Sequence, residues 1–131
     1  MKISAKGQYA VRLMVDIAKS QELISINNIA KNQDISPKYL EQIVSKLVKA
    51  NLLEGIRGSL GGYKLTKLAK DISIKDILET TGDTSSLAPC LLGDCTRKNK
   101  CKAKTVWTTL GELIDNYLAS ISLQDLIDNK I

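Results

Sequence analysis

The chain has 131 residues, 44% apolar and 25% charged, which suits one domain with a single modest core and an appended element. No apolar run is long enough to cross a bilayer, and the Met1-Lys2-Ile3-Ser4 start lacks the apolar stretch and cleavage pattern of an export signal. The formal net charge of +5 is uneven: residues 1–82 carry 13 basic and 8 acidic side chains, 83–104 carry 5 and 2, and 105–131 carry 1 and 4.

Such an asymmetry favours a polyanionic partner for the front of the chain, although many basic faces are simply solvated. The sequence contains no histidine, no nucleophile–base pair and no phosphate-binding loop motif, so an enzyme is not expected. All three cysteines fall in one short stretch, Cys90-Leu-Leu-Gly-Asp-Cys95-Thr-Arg-Lys-Asn-Lys-Cys101. Without export they imply a reducing, cytoplasmic setting, where clustered thiols serve metal or redox chemistry more often than structural disulfides.

In chain order, Tyr9, Ala10, Leu13, Met14, Ile17 and Ala18 recur at helical spacing and predict a first helix over residues 8–20, with Arg12, Asp16 and Lys19 outside its stripe. Ser25 is a plausible cap for a short helix over Ile26–Ala30. Gln33-Asp34-Ile35 then makes a tight connection. Ser36-Pro37 is a strong helix start, because proline at the first helical position forfeits no hydrogen bond. Leu40, Ile43, Val44, Leu47 and Val48 form the buried stripe of a helix running to about Ala50. Short helix, turn and longer helix make a helix–turn–helix pattern.

Leu52–Arg57 and Tyr63–Thr66 are strand-like runs separated by Gly58-Ser59-Leu60-Gly61-Gly62, the pattern of a β-hairpin. A hairpin directly after a helix–turn–helix is the wing of a winged helix domain, and the glycines are wing chemistry rather than a nucleotide cradle. Ser73 caps a further helix with Ile74, Ile77 and Leu78 inward, ending at Gly82. Residues 83–89 form a polar loop leading into the cysteines.

After Cys101, residues Val106, Leu110, Leu113, Ile114, Tyr117, Leu118 and Ile121 recur every three or four positions, with Trp107 alongside. They predict a helix of ~20 residues. It is either a core helix or a dimerisation helix crossing a symmetry mate; the second is preferred, because a DNA reader of this size usually needs two half-sites. Its interface candidates are Val106, Leu110, Leu113, Ile114 and Tyr117. Ser122–Ile127 reads as a capped terminal turn. The expected architecture is therefore mainly α: a winged helix–turn–helix over 1–82, a cysteine-containing loop over 83–104, and a dimerisation helix with its tail over 105–131.

Opposite the apolar stripe of the Pro37 helix lie Lys38, Tyr39, Glu41, Gln42, Ser45, Lys46 and Lys49, which face the major groove if this is the recognition helix. Gln42 can pair two hydrogen bonds with adenine, and Glu41 can accept from cytosine or position its neighbours. Lys38, Lys46 and Lys49 suit phosphates. Arg57, at the root of the wing, suits a narrow minor groove. Read without DNA, the same residues make a solvated helix face and an ordinary hairpin, and winged helices also mediate protein contacts.

Thiolates select iron–sulfur clusters, zinc or copper(I), and the C-x4-C-x5-C spacing is wider than the C-x2-C of common zinc sites without separating these metals. Gly93 allows the backbone to wrap a metal, and Arg97, Lys98, Lys100 and Lys102 would offset the negative charge of thiolates.

Three stretches, Met1–Val11, Ser36-Pro-Lys-Tyr-Leu-Glu-Gln42 and Arg57-Gly-Ser-Leu-Gly-Gly-Tyr63, resemble the iron–sulfur cluster regulator family, the IscR/NsrR/CymR-type winged helix repressors of bacteria known as the Rrf-two family. The likeness extends in order over the full chain, through the cysteine loop to the helix carrying Trp107. It implies a homodimeric transcription regulator, chiefly a repressor, that binds a double-stranded operator. On that resemblance Tyr39, Glu41, Gln42, Arg57 and Gly58 fall on DNA-contacting positions, and Lys38 and Ser59 on contact positions where residue type varies; Ser45 and Lys46 complete the candidate face. The resemblance also implies an iron–sulfur cluster on Cys90, Cys95 and Cys101, 2Fe–2S in preference to 4Fe–4S, which senses iron–sulfur status, oxygen or nitric oxide.

Two departures from the family pattern affect the fourth ligand. Many relatives have five residues between the first two cysteines, where this chain has four. Those relatives supply a histidine three residues after the last cysteine, where this chain has Lys104. Others use an acidic residue near the start of the first helix, where this chain has Gln8. Asp83, Asp94 or an external thiol remain as candidates. A cluster-free thiol switch, and a regulator that partners a metabolic enzyme through the long helix, are the competing readings.

Overall fold

The computed structural model describes residues 2–83 and 100–131. Its elements are α1 (Ala5–Lys19), α2 (Ile26–Gln33), α3 (Pro37–Lys49), β1 (Leu53–Ile56), β2 (Gly62–Leu65), a 3-10 turn (Ala69–Asp71), α4 (Ile74–Thr80), α5 (Lys104–Ser120) and α6 (Leu123–Ile127). The strands form one antiparallel hairpin, with Leu53 opposite Leu65 and Ile56 opposite Gly62. The molecule is thus mainly α, a winged helix–turn–helix as the spacing predicts.

Serine starts five of these helices for one reason. Its hydroxyl accepts the otherwise unpaired N–H three residues on: Ser4 from Gly7, Ser25 from Asn28, Ser36 from Tyr39, Ser73 from Asp76 and Ser122 from Asp125, all at 3.0–3.2 Å. At Ser73 and Ser122 the aspartate returns the bond to the serine N–H, completing a capping box. The Ser4 cap starts α1 at Ala5, three residues before the expected position. Asp34, at φ 54° and ψ 49°, ends α2, and Ile35 N–H reaches back to the Ala30 carbonyl, so the helix–turn–helix connection is closed tightly.

One core joins the elements. Ala10, Leu13, Met14 and Ile17 of α1 meet Ile29 of α2, Leu40, Ile43, Val44 and Leu47 of α3, Leu52 and Leu53, Ile72, Ile77 and Leu78, and Leu123 of α6. Val48 does not join them and is 39% exposed. At 100° per residue it lies about 90° from the centre of the Leu40–Leu47 stripe, beyond the reach of the core.

The C-terminal segment returns to this core. Ile74 N–H donates to the Ile121 carbonyl at 2.9 Å and Leu123 N–H to the Ile72 carbonyl at 3.0 Å, pairing the starts of α4 and α6. Leu123 is fully buried, so the end of the 105–131 segment shares the core of residues 1–82. The "capped terminal turn" is a short helix, and Ala69–Asp71 is a turn of helix that no periodicity marks.

The seven apolar residues expected to form one stripe on α5 separate into two. Val106, Leu110, Leu113 and Tyr117 are 58%, 41%, 61% and 56% exposed. Leu118 and Ile121 pack on the core, and Ile114 is half-buried. On a helical projection the two rows lie about 80° apart, so this chain covers one and leaves the other open.

Candidate functional site

The candidate recognition surface is assembled from α3 and the hairpin. Burial of Leu40, Ile43, Val44 and Leu47 turns the opposite face outward, and Lys38, Glu41, Gln42, Ser45, Lys46 and Lys49 are all exposed. Tyr39 differs: its side chain is half-buried, packed at the margin of the core. Arg57, Gly58 and Ser59 are exposed at the end of β1. Gly58 has φ +124°, a conformation that disfavours any side chain, and its carbonyl accepts the Gly61 N–H at 3.0 Å. That turn carries Leu60 outward, where it is 90% exposed. Ile24 pairs with Tyr63, bonding N–H to carbonyl in both directions and tying the wing to the segment before α2. Between them a groove is lined by Ser25, Ile26, Arg57, Gly58 and Tyr63.

The two ion pairs among the described residues, Lys64–Glu54 across the hairpin and Lys75–Glu79 on α4, involve none of these candidate residues. Both are exposed, where such pairs contribute little. The cations at 38, 46, 49 and 57 therefore have no carboxylate partner in salt-bridge contact among the described residues, as a phosphate-facing surface requires.

The chemistry around the cysteines is described at its two edges. Cys90, Cys95 and Asp94 lie outside the described residues. Cys101 is a free, half-buried thiol, three residues before α5, and its carbonyl accepts the Lys104 N–H at 3.4 Å. Among the described residues no group of three or more histidine, cysteine or carboxylate side chains is placed to hold a metal ion. The donor set is nonetheless suited to a soft metal centre: the chain supplies three cysteines within twelve residues, and Cys101 is partly exposed.

At the other edge, Asp83 is committed to a clasp. Its carboxylate accepts the Ser4 N–H at 2.9 Å, the Ser4 hydroxyl at 2.8 Å and the Thr81 hydroxyl at 2.7 Å. Burial pushes its carboxyl pKa up, but the hydrogen bonds from Thr81 and from the Ser4 backbone and side chain outweigh it and hold the group below the ordinary aspartate range. Residue 7 must be glycine for this clasp, because a Cβ there would collide with Asp83 Oδ2. A carboxylate holding three donors is poorly free to ligate a metal. Gln8 is exposed, with its amide nitrogen donating to the Ile3 carbonyl, and Lys104 begins α5.

Like the Ile24–Tyr63 pairing, two further contacts join segments that no local pattern links. The Ser4–Asp83 clasp spans 79 positions, and no local pattern marks it. Tyr9, expected only in the first helix's apolar stripe, meets Tyr39 edge to face, with ring centroids 5.9 Å apart and planes at 86°.

The family model described as Rrf2, iron-dependent transcriptional regulator, matches residues 3–129. The HTH-type transcriptional regulator IscR of Vibrio campbellii is 36% identical over 135 residues, an alignment covering 100% of this chain and 80% of that protein. Among solved structures, CymR, the global cysteine regulator of B. subtilis, superposes with a TM-score of 0.82 at 31% identity over 98% of both chains. IscR of T. potens does so at 0.77 and 33%, covering 100% of this chain and 89% of that one.

Proposed function

This chain belongs to the Rrf2 family of transcriptional regulators, and from that premise we propose that it is a homodimeric, cytoplasmic repressor whose grip on its operator is set by an iron–sulfur cluster. That it is an HTH-type DNA-binding regulator and not an enzyme follows from the family and its named relatives. The cluster, the contact residues and the dimer are our reading.

The observation that carries it is the sorting of α3. Four apolar residues are at most 2% exposed, while every polar residue from Lys38 to Lys49 outside Tyr39 faces water. On this reading Gln42 and Glu41 read base edges, Lys38, Lys46 and Lys49 hold phosphates with Ser45 beside them, and Arg57 with Gly58 and Ser59 follows the minor groove.

Cys90, Cys95 and Cys101 would hold the cluster, 2Fe–2S rather than 4Fe–4S. When bound it supplies a redox-sensitive, oxygen- and nitric-oxide-reactive centre. With histidine absent and Asp83 committed to Ser4, an external thiol or Asp94 is left as fourth ligand, and an incomplete protein ligand set suits a sensor better than an electron carrier. The open α5 row repeats at intervals of four, three and four residues, the a/d spacing of a coiled-coil seam, which supports pairing with a second copy.

Loss of the cluster would act as a population shift between arrangements of the two recognition helices. The test is purification without oxygen followed by absorption spectroscopy and iron and sulfide analysis of the wild type and of Cys101→Ser. Visible sulfur-to-iron absorption that the substitution removes is expected. A colourless protein that gains no absorption on reconstitution with iron and sulfide would refute the cluster and favour the thiol switch, which mass spectrometry after mild peroxide would then reveal.

A further inference from the structure

We infer that Tyr9 of α1 is a positioning residue for DNA recognition: it holds the Tyr39 ring, and with it the first turn of the recognition helix, in the conformation that meets the operator. This rests on the proposal that α3 contacts DNA.

Tyr39 is the third residue of α3, in the turn where a recognition helix delivers its first side chains to the groove. Its backbone N–H is fixed by the Ser36 hydroxyl at 3.2 Å. Its side chain is fixed by a different element, through the edge-to-face contact with Tyr9 at 5.9 Å. One turn further along α1, the Arg12 guanidinium lies over the Tyr9 ring, 5.2 Å from its centroid. Arg12, Tyr9 and Tyr39 thus form a column from an exposed cation to the recognition helix. Each step is a contact with a preferred geometry, aromatic edge to face and cation over ring.

Tyr9 and Tyr39 are both half-buried at the core margin, whereas the residues that hold α1 to the body of the protein are Ala10, Leu13, Met14 and Ile17, all buried. Removing the Tyr9 ring therefore leaves the core standing and frees the Tyr39 rotamer, whose ordering must then be supplied at binding.

The experiment first selects an operator from a random duplex library with the wild-type protein. It then measures Kd for that operator and for an unrelated duplex at one salt concentration, using wild type, Tyr9→Phe, Tyr9→Leu, Tyr39→Leu and the double variant, with thermal melts of each. The expected result is that Tyr9→Leu weakens operator binding by about 3- to 10-fold with unrelated duplex binding unchanged. Tyr9→Phe, which keeps the ring, should stay within about two-fold of wild type. The loss should vanish in the Tyr39→Leu background, since the two act as one unit.

Equal losses from Tyr9→Leu in both backgrounds, or a lower melting temperature with unchanged operator affinity, would overturn the inference and reduce Tyr9 to a packing residue. If Tyr9→Leu does not fold, the exposed Arg12→Gln substitution makes the same comparison, with a smaller loss that again depends on Tyr39. Failure to select any operator, or an operator affinity indifferent to Gln42→Ala, would instead refute the α3 reading itself.

Discussion

The helices α3 and α5 use similar apolar content in opposite ways. In α3 the row Leu40, Ile43, Val44 and Leu47 is sealed by α1, α2 and the hairpin, at 0–2% exposure. In α5 the row Val106, Leu110, Leu113 and Tyr117 stands open at 41–61%, and Gly111 is the helix's one fully buried residue. Periodicity alone does not distinguish them, because it reports that a helix has an apolar face and is silent on whose surface covers it. α3 also begins with a serine cap and proline, whereas α5 begins at Ala103 with no side-chain cap. The apolar row of α3 is thus covered within the chain, whereas the outer row of α5 is not.

The comparison breaks most visibly by truncation. Leu40→Ala should cost about 2–5 kcal/mol in denaturant unfolding, because it opens a cavity in a sealed core. Leu113→Ala, measured under the same conditions, should cost far less per protomer. Equal losses at a protein concentration too low for self-association would mean that both rows are buried in the free chain.

Next in size is base reading on the outer face of α3. Gln42→Ala should cost about 1–3 kcal/mol of discrimination at one operator position. Lys46→Ala should instead weaken all duplexes alike and lower the salt slope of binding by about one. A uniform loss from Gln42→Ala would move it to the phosphate-contacting set.

On α5, Leu113→Lys should weaken self-association by at least about 10-fold in sedimentation experiments, since it places like charges across a two-fold seam. Unchanged association would assign that row to another partner.

The smallest effect concerns the clasp between α1 and the segment leading to the cysteines. Because the Asp83 pKa is depressed in the folded protein, its contribution is complete above the ordinary aspartate value and is lost as pH falls through the folded value. Asp83→Asn should therefore cost about 1 kcal/mol near neutrality, a cost that shrinks as pH falls through the folded Asp83 value. A cost that persists in acid would show that the carboxylate charge is irrelevant there.

Much of this molecule was legible in sequence, for physical reasons that can be named. Ser36-Pro37 announces a helix start through local hydrogen-bond chemistry, and the glycine-rich run from 58 to 62 announces a turn through backbone sterics. Both signals act within a few residues. Ser4–Asp83, Ile24–Tyr63 and Tyr9–Tyr39 are encounters between distant segments, fixed by packing, and no local rule encodes them. Val48 and the divided stripe of α5 mark the resolution of periodicity: it places residues on a helix to within about a quarter turn, and burial is decided on a finer scale.

The central claim is that the state of a cluster held by Cys90, Cys95 and Cys101 sets operator affinity. The most direct measurement is an oxygen-free titration of the selected operator with cluster-loaded protein and with the same preparation after iron removal, at one salt concentration. The account expects operator Kd to change by about 5- to 150-fold between the two forms, and the Cys101→Ser protein to behave as the iron-free form does under either treatment. Operator affinities that agree within about two-fold, for a protein verified to carry the cluster, would contradict it.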